Sequence, residues 1–257
     1  MVDKRHALKM TFLGTGSAFT IGEGNFHSNV LLEIHNDTLL IDAGSDIRFS
    51  LNEQKKNYLN IHNLYLTHLH GDHVGGVEWL ALNSFFDEKY IGKPNLIASD
   101  TIISELWEKT LAGGLSTLAT QISTLDTYFN VHSVGDAGTF EWQEIEFKLV
   151  QMVHVFNGMQ LRPCYGLLFE YHSTRILYTA DTRFVPEEIY KEADIIFHDC
   201  ETAKIKSGVH AHYSELLQLA SEFKKKMWLY HYNPGPLPDA KADGFLGFVA
   251  KGQCFTF

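Results

Sequence analysis

The segment Thr67-His68-Leu69-His70-Gly71-Asp72-His73 places three imidazoles and one carboxylate within six residues. Buried without a partner, such a cluster is costly. Protonated rings repel one another, and neutral rings leave nitrogens unpaired. A metal ion removes both costs, because neutral imidazole and carboxylate are ordinary zinc ligands. A solvated histidine-rich loop is the plainer alternative, which a lone His-x-His would support. The full H-x-H-x-D-H spacing after an apolar run is far more specific for a metal. Further along, His154, Asp181 and His231 each stand at or just past the end of an apolar run. Taken singly, His154 and His231 read equally well as structural histidines, and Asp181 as a turn residue. Asp42 precedes Gly44 and reads as a turn former or as a partner of the cluster.

Residues so far apart in sequence meet only if strands aim them. Apolar runs of strand length, rich in β-branched and aromatic residues, occupy 9–13, 30–34, 38–41, 63–67, 146–150, 166–171, 175–179, 194–198 and 227–230. The second and third are separated by His35-Asn36-Asp37, a hairpin signal. Helical periodicity is visible over 74–86, 101–111 and 213–225, the last with Ser214 as its cap. A short helix is expected over 187–192. Runs of strands with helices between them predict an α/β fold of two packed mixed sheets flanked by helices. Residues 111–139 are the least regular and read as a surface excursion over a cleft or a partner subunit. No repeat or linker divides the chain, so residues 1–257 are expected to form one domain.

Composition narrows the function classes. Of 257 residues, 45% are hydrophobic, enough for a large core, and the net charge is −10. That balance argues against a broad nucleic-acid-binding face, and no stable nucleic-acid partner is expected. It leaves room for a small anionic substrate held by metal ions, which dominate local charge. The three cysteines, Cys164, Cys200 and Cys254, form no CxxC pair and read as small buried apolar residues. The start, 1–10, is polar, and no apolar run approaches about 18 residues. No membrane span is expected, and the cytoplasm is the expected location.

The H-x-H-x-D-H segment resembles the signature of the metallo-β-lactamase superfamily. Ile41-Asp42-Ala43-Gly44, His154 after 149–153, Asp181 in Leu177-Tyr178-Thr179-Ala180-Asp181-Thr182, and His231 in Trp228-Leu229-Tyr230-His231-Tyr232 follow that family in order and context. The resemblance runs from Phe12 to about Pro234. It implies the αββα sandwich and two divalent ions, zinc first and manganese second. One ion would take His68, His70 and His154, the other Asp72, His73 and His231, with Asp181 between them. Asp42 would stand behind the ligands and orient one of them. Asp72 would also accept the proton of the attacking nucleophile.

The opening Thr11-Phe12-Leu13-Gly14-Thr15-Gly16-Ser17 and the segment Gly208-Val209-His210-Ala211-His212-Tyr213-Ser214 resemble the ribonuclease Z-like phosphodiesterase branch. There a histidine ahead of a helix contacts the substrate phosphate or assists the leaving group. His212 matches best; His210 is the other candidate, and a simple helix cap is the plain reading of His212. The basic arm that grips transfer RNA in that branch has no counterpart, since Lys109 is the one clear cation within 107–139. The chain is most similar to the anti-Pycsar nucleases of phages and their bacterial relatives, which open 3',5'-cyclic mononucleotides to nucleoside monophosphates. That resemblance implies a cyclic mononucleotide substrate, a homodimer and, in a phage, a counter-defence role in the host cytoplasm. Phe19, Phe26, Tyr128, Phe129, Phe156 and Tyr232 are aromatics that could stack on a base, or simply pack. Two rivals stay open: transfer-RNA 3' processing, and a binding protein that sequesters a nucleotide uncut.

Overall fold

The computed structural model describes residues 7–257 except 23, 157 and 186, so positions 1–6 of the polar start lie outside the described residues. The first hairpin shows how local chemistry sets the frame. His35 and Asn36 take positive φ (52° and 70°), the geometry of a two-residue turn whose twist matches its strands. Asp37, expected in the turn, is instead the first residue of the returning strand. Its carboxylate holds it there by accepting hydrogen bonds from Trp142 Nε1 (2.8 Å), Gln143 Nε2 (3.0 Å) and the Thr38 amide (2.9 Å).

From this hairpin the first sheet grows. β1 (Lys9–Phe12), β2 (Val30–Ile34) and β3 (Asp37–Ile41) are antiparallel, while β4 (Asn63–Tyr65) and β5 (Asn95–Ser99) continue parallel to β3. A separate small hairpin, β6 (Thr117–Leu118) and β7 (Gln121–Ile122), precedes β8 (Asn130–Val134), which joins the parallel edge beside β5. The second sheet repeats the plan. β9 (Thr139–Trp142), β10 (Ile145–Phe156), β11 (Leu161–Tyr171) and β12 (Thr174–Tyr178) are antiparallel. β13 (Ile195–Asp199), β14 (Met227–Tyr230) and β15 (Gly247–Phe248) then run parallel to β12. β16 (Cys254–Thr256) returns to pair with β1. Parallel neighbours need crossovers. α1 (Ile47–Glu53) joins β3 to β4, and α2 (Gly71–Val74) with α3 (Val77–Phe86) joins β4 to β5. α4 (Asp100–Leu106), α5 (Ala112–Leu115) and α6 (Leu125–Tyr128) lie between β5 and β8, and α7 (Tyr213–Leu216) and α8 (Ser221–Lys224) between β13 and β14.

The sheets meet face to face through aromatic side chains. Phe12 of the first sheet lies with its ring centroid 5.0 Å from Phe197 and 5.5 Å from Tyr230 of the second. Tyr65 stacks on Phe140 at 5.4 Å, and its hydroxyl donates to the Tyr165 carbonyl at 3.1 Å. The expected α/β sandwich of two mixed sheets is therefore the fold. No helix among the described residues is long and apolar enough to cross a membrane.

Several elements differ from their sequence reading. The helix expected over 74–86 breaks at Gly75–Gly76, because the Gly76 amide leaves the helix to donate to the Ala43 carbonyl at 2.8 Å. The helix expected over 213–225 is two short ones. Ala220 is extended (ψ 144°), yet Leu216, Leu219 and Phe223 are still buried, so the same apolar periodicity is satisfied by two turns. Its cap is His212, not Ser214. Within 101–111, α4 passes into a π-helical turn, Trp107–Leu111. The excursion at 111–139 shrinks to the β6–β7 hairpin, since Leu111, Leu115, Tyr128 and Phe129 are core and β8 is a sheet edge. Strands β5 to β9, β15 and β16 were missed in the sequence; β8 alternates poorly because four of its five residues are at least partly exposed. Cys164 and Cys200 are buried as expected, whereas Cys254 is exposed.

Candidate metal centre

The centre forms where parallel strands end. Asp42 follows β3, the His68–His73 segment follows β4, Asp181 follows β12, Asp199 ends β13 and His231 follows β14. Carboxyl ends of parallel strands leave a crevice that helices do not fill. His154 arrives differently. It sits inside β10, where the register against β11 slips between Val153 and Val155. The extra residue of such a bulge re-aims its side chain, and here the ring points into the crevice.

Three of these positions hold strained backbone. Asp42 (φ 63°), Ala180 (φ 52°) and His231 (φ 64°) lie in the left-handed region. Each costs about 1–3 kcal/mol and persists because its surroundings over-determine it. Gly44 serves the same convergence, since a Cβ there would meet the Asp72 carbonyl oxygen at 2.2 Å.

Among the described residues, the ring nitrogens and carboxylates gather into three overlapping groups. Two hold the sequence-predicted donors: His68, His70, His154 and Asp181 form one; Asp72, His73, His231 and Asp181 form the other. The third is Asp181, Asp199, His210 and His231. Within each, one donor atom per residue lies within 4.8 Å of the rest. His70 Nδ1 is 3.1 Å from both His68 Nε2 and His154 Nε2. Asp181 Oδ2 stands 3.3 Å from His73 Nε2, 3.4 Å from His231 Nε2 and 3.7 Å from His68 and His154 Nε2. Asp72 Oδ2 is 3.3 Å from both His73 and His231 Nε2.

The outward nitrogens are fixed by partners that choose the tautomer. His73 Nδ1 donates to Asp42 Oδ2 at 2.7 Å, and His154 Nδ1 donates to the Val209 carbonyl at 2.8 Å. Thr67 donates its amide (2.9 Å) and hydroxyl (2.8 Å) to Asp42, leaving its oxygen to accept from His68 Nδ1 at 3.0 Å. Each inward nitrogen is thereby turned toward the centre, where an ion in place of a proton would meet it as a lone pair.

Electrostatics divide the set. Burial, and then the neighbouring His73, push His68 well below the usual imidazole range. Burial and His154 lower His70 to about 4, and burial lowers His154. These three are neutral, as ligands must be. For His73 and His231, burial opposes the charge, but Asp181 and neighbouring carboxylates push both well up. Burial opposes ionisation of Asp72 and Asp181 too, and the adjacent imidazoles hold both well below the carboxylate range.

A divalent ion fits this set. His73 Nε2 and Asp181 Oδ1 are buried without a hydrogen-bond partner, although both sit in the middle of the cluster. Buried polar atoms seldom stay unpaired in a folded protein. The donors are nitrogen and oxygen, crowded and mutually facing, and a cation can take the place of the protons that the carboxylates hold on His73 and His231.

The structure separates the two histidines ahead of α7. His212 has both ring nitrogens engaged: Nδ1 with Ser214 (2.8 Å to Oγ) and Nε2 donating to the Ala203 carbonyl at 2.9 Å. It caps α7, and neither of these contacts is with a residue of the donor groups, so they give no support to the expectation that it assists the leaving group. His210 faces the centre instead. Its ring lies 4.8 Å from those of both His154 and His231, and its Nδ1 is 2.7 Å from Asp199 Oδ2. Burial lowers its proton affinity, but Asp199 more than offsets this and pushes His210 up. Asp199 was missed in the sequence, though it closes an apolar run much as Asp42 and Asp181 do. Of the aromatics considered for a base, Tyr128 and Phe129 are core, and the Tyr232 hydroxyl is tied to Thr15 and the Val249 carbonyl. Phe19 and Phe156 are exposed.

The family model described as Anti-Pycsar protein Apyc1 matches residues 8–255. The Anti-Pycsar protein Apyc1 of Paenibacillus harenae is 36% identical over 230 residues, 88% of this chain and 90% of that protein. Among solved structures, the metallo-beta-lactamase fold protein YhfI from Bacillus subtilis superposes with a TM-score of 0.75 at 16% identity, covering 98% of this chain and 100% of that one. A diphosphatase from the PhnP family gives a TM-score of 0.73 at 19% identity, with 98% and 97% covered.

Proposed function

This chain belongs to the Anti-Pycsar protein Apyc1 family, and from that premise we propose that it is a two-metal phosphodiesterase opening 3',5'-cyclic mononucleotides to nucleoside monophosphates. One observation carries the reading: the two donor groups that hold His68, His70 and His154 and Asp72, His73 and His231 share the carboxylate of Asp181, as does a third with Asp199 and His210. Divalent cations held there, zinc first and manganese second, would supply charge for the phosphoryl oxygens and acidify water near neutral pH.

The chain's own residues do the rest. Asp181 holds the two donor groups at a fixed separation. Asp42 and Thr67 keep His73 and His68 in the ligating tautomer, so the centre is preorganised. Asp72, ionised and close to His73 and His231, completes the second donor group with them. His210, with Asp199 behind it, keeps its proton and delivers it to the departing ribose oxygen. The chain's net charge of −10 favours a small diester over transfer RNA. From the family resemblance we also infer a homodimer acting in the cytoplasm where its substrate is made, to be checked by light scattering.

The metal-loaded protein should be incubated with a panel of 3',5'-cyclic mononucleotides and a precursor transfer RNA, and the products separated. Opened cyclic nucleotides beside intact RNA are expected. Cut RNA beside intact cyclic nucleotides would reverse the substrate assignment. Tight binding with the nucleotide recovered unchanged would make the protein a sequestering module.

A further inference from the structure

Beside the centre lies a cavity of about 200 Å³ whose inner wall includes His68 and His70. That is below the roughly 300–1,000 Å³ common for drug-sized ligands and suits one flat ring system. Leu69, Ile102 and Pro163 give it apolar surface, while Arg162 and Lys109 add positive charge.

Two local features build it. The wider winding of the π-helical turn at Trp107–Leu111 brings Lys109 and Thr110 to the wall; π-turns inside helices are frequent at functional sites. Across the cavity, Arg162 stands on β11 two residues before Cys164, and alternate residues of a strand share a face. Cys164 Sγ is 3.7 Å from His68 Nδ1, so Arg162 lies on the side of the strand that looks toward the centre. The nearby cations differ in what they already hold. Lys109 is paired with Glu105 at 2.5 Å, and Arg183 donates to the His154 and Phe156 carbonyls at 3.2 and 3.3 Å. Arg162 is exposed, free to turn its guanidinium toward the cavity that it lines.

We propose that this cavity seats the nucleobase of the substrate and that Arg162 reads the base edge, an inference that rests on the cyclic-nucleotide reading above. A guanidinium carries only donors, in a planar fork. It matches an edge with two adjacent acceptors, such as O6 and N7 of guanine or O2 and N3 of cytosine. Adenine sets the N7 acceptor beside the N6 donor and matches poorly.

The test compares cyclic GMP, cyclic CMP, cyclic AMP and an abasic control, methyl riboside 3',5'-cyclic phosphate. Each is assayed with the metal-loaded unaltered protein, Arg162→Ala and Arg162→Lys. In Arg162→Ala, kcat/KM for cyclic GMP and cyclic CMP should fall about tenfold further than for cyclic AMP and the abasic diester, mainly through KM. Arg162→Lys keeps the charge, loses the fork and should resemble the alanine variant. Equal loss on all four substrates would assign Arg162 to the phosphate and overturn the proposal, as would no loss on any. Full recovery in Arg162→Lys would overturn edge reading. If the unaltered protein turns over none of the cyclic nucleotides, the substrate reading falls and the base seat with it. Turnover that is indifferent to both variants removes the base seat alone.

Discussion

At the scale of single residues, the centre depends on a few side chains with different jobs. Asp181 is the one carboxylate common to all three donor groups. Asp181→Ala should therefore lower bound metal and remove hydrolysis together, as read by elemental analysis and product formation on the same sample; full activity in that variant would sink the two-metal reading. The two histidines ahead of α7 are assigned different roles in the proposed reading. His210→Ala is expected to keep its metal yet lose about 10²–10⁴-fold in kcat, the span typical of a lost general acid. His212→Ala, which removes a helix cap, should cost about 1 kcal/mol of stability in denaturant titration while kcat changes little. Reversed results would restore His212 to the leaving group.

At the scale of elements, close approach and cross-sheet ties hold the crevice open. The loop after β3 touches the metal segment where Gly44 meets the Asp72 carbonyl. Gly44→Ala must push one loop away, and should cost about 1–3 kcal/mol and weaken metal binding, measurable by competition with a chromophoric chelator. At the far end of β3, Asp37 ties the first sheet to β9 through Trp142. Burial opposes ionisation of Asp37, but hydrogen bonds from Gln143, Thr38 and Trp142 hold its carboxyl below the ordinary value of 3.8. The sign follows from that. A depressed folded-state pKa adds stability above the unfolded-state value, and the gain is lost as pH falls through the folded one. Asp37→Ala should therefore lower the melting temperature at pH 7, with the gap to the unaltered protein narrowing below about pH 4. A gap that is constant across pH would mean that packing, not the ionised carboxylate, carries the tie.

At the scale of the whole molecule, the centre joins the two sheets. Its donor side chains come from the end of β4 in one sheet and from β10 and the ends of β12 and β14 in the other, so anything bound there would clamp both halves. A ligand bound only by the folded state stabilises it by RT ln(1 + [L]/Kd), about 4 kcal/mol at a thousandfold excess over Kd. Removing it also leaves buried carboxylates balanced only by protons on His73 and His231. Chelation should thus lower the melting temperature by several degrees, and zinc or manganese should restore it in differential scanning calorimetry. An unchanged melting curve would mean that no ion is held there.

Much of this was legible in the sequence because some signals are local. The six residues from His68 to His73 carry their chemistry in their spacing, and strands such as β2 and β14 carry theirs in runs of apolar residues. The family resemblance, matched at the ends of those runs, then pointed to Asp42, Asp181 and His231. Other features are decided by contacts between distant segments. His210 and His212 sit two apart ahead of the same helix, and only the positions of Asp199 and Ala203 determine which ring turns inward. The apolar periodicity of 213–225 fits one helix or two, and packing onto the second sheet selects two. Edge strands such as β8 bury too little apolar surface to show a period of two. The sequence by itself thus determined the sandwich and the His68–His73 cluster, because core strands and a dense run of donors are written in residue type and spacing, while the distant donors came from the family resemblance. The tertiary structure alone decided the acid candidate and the cavity beside it, because both depend on which side chains from separate sheets come within hydrogen-bond reach.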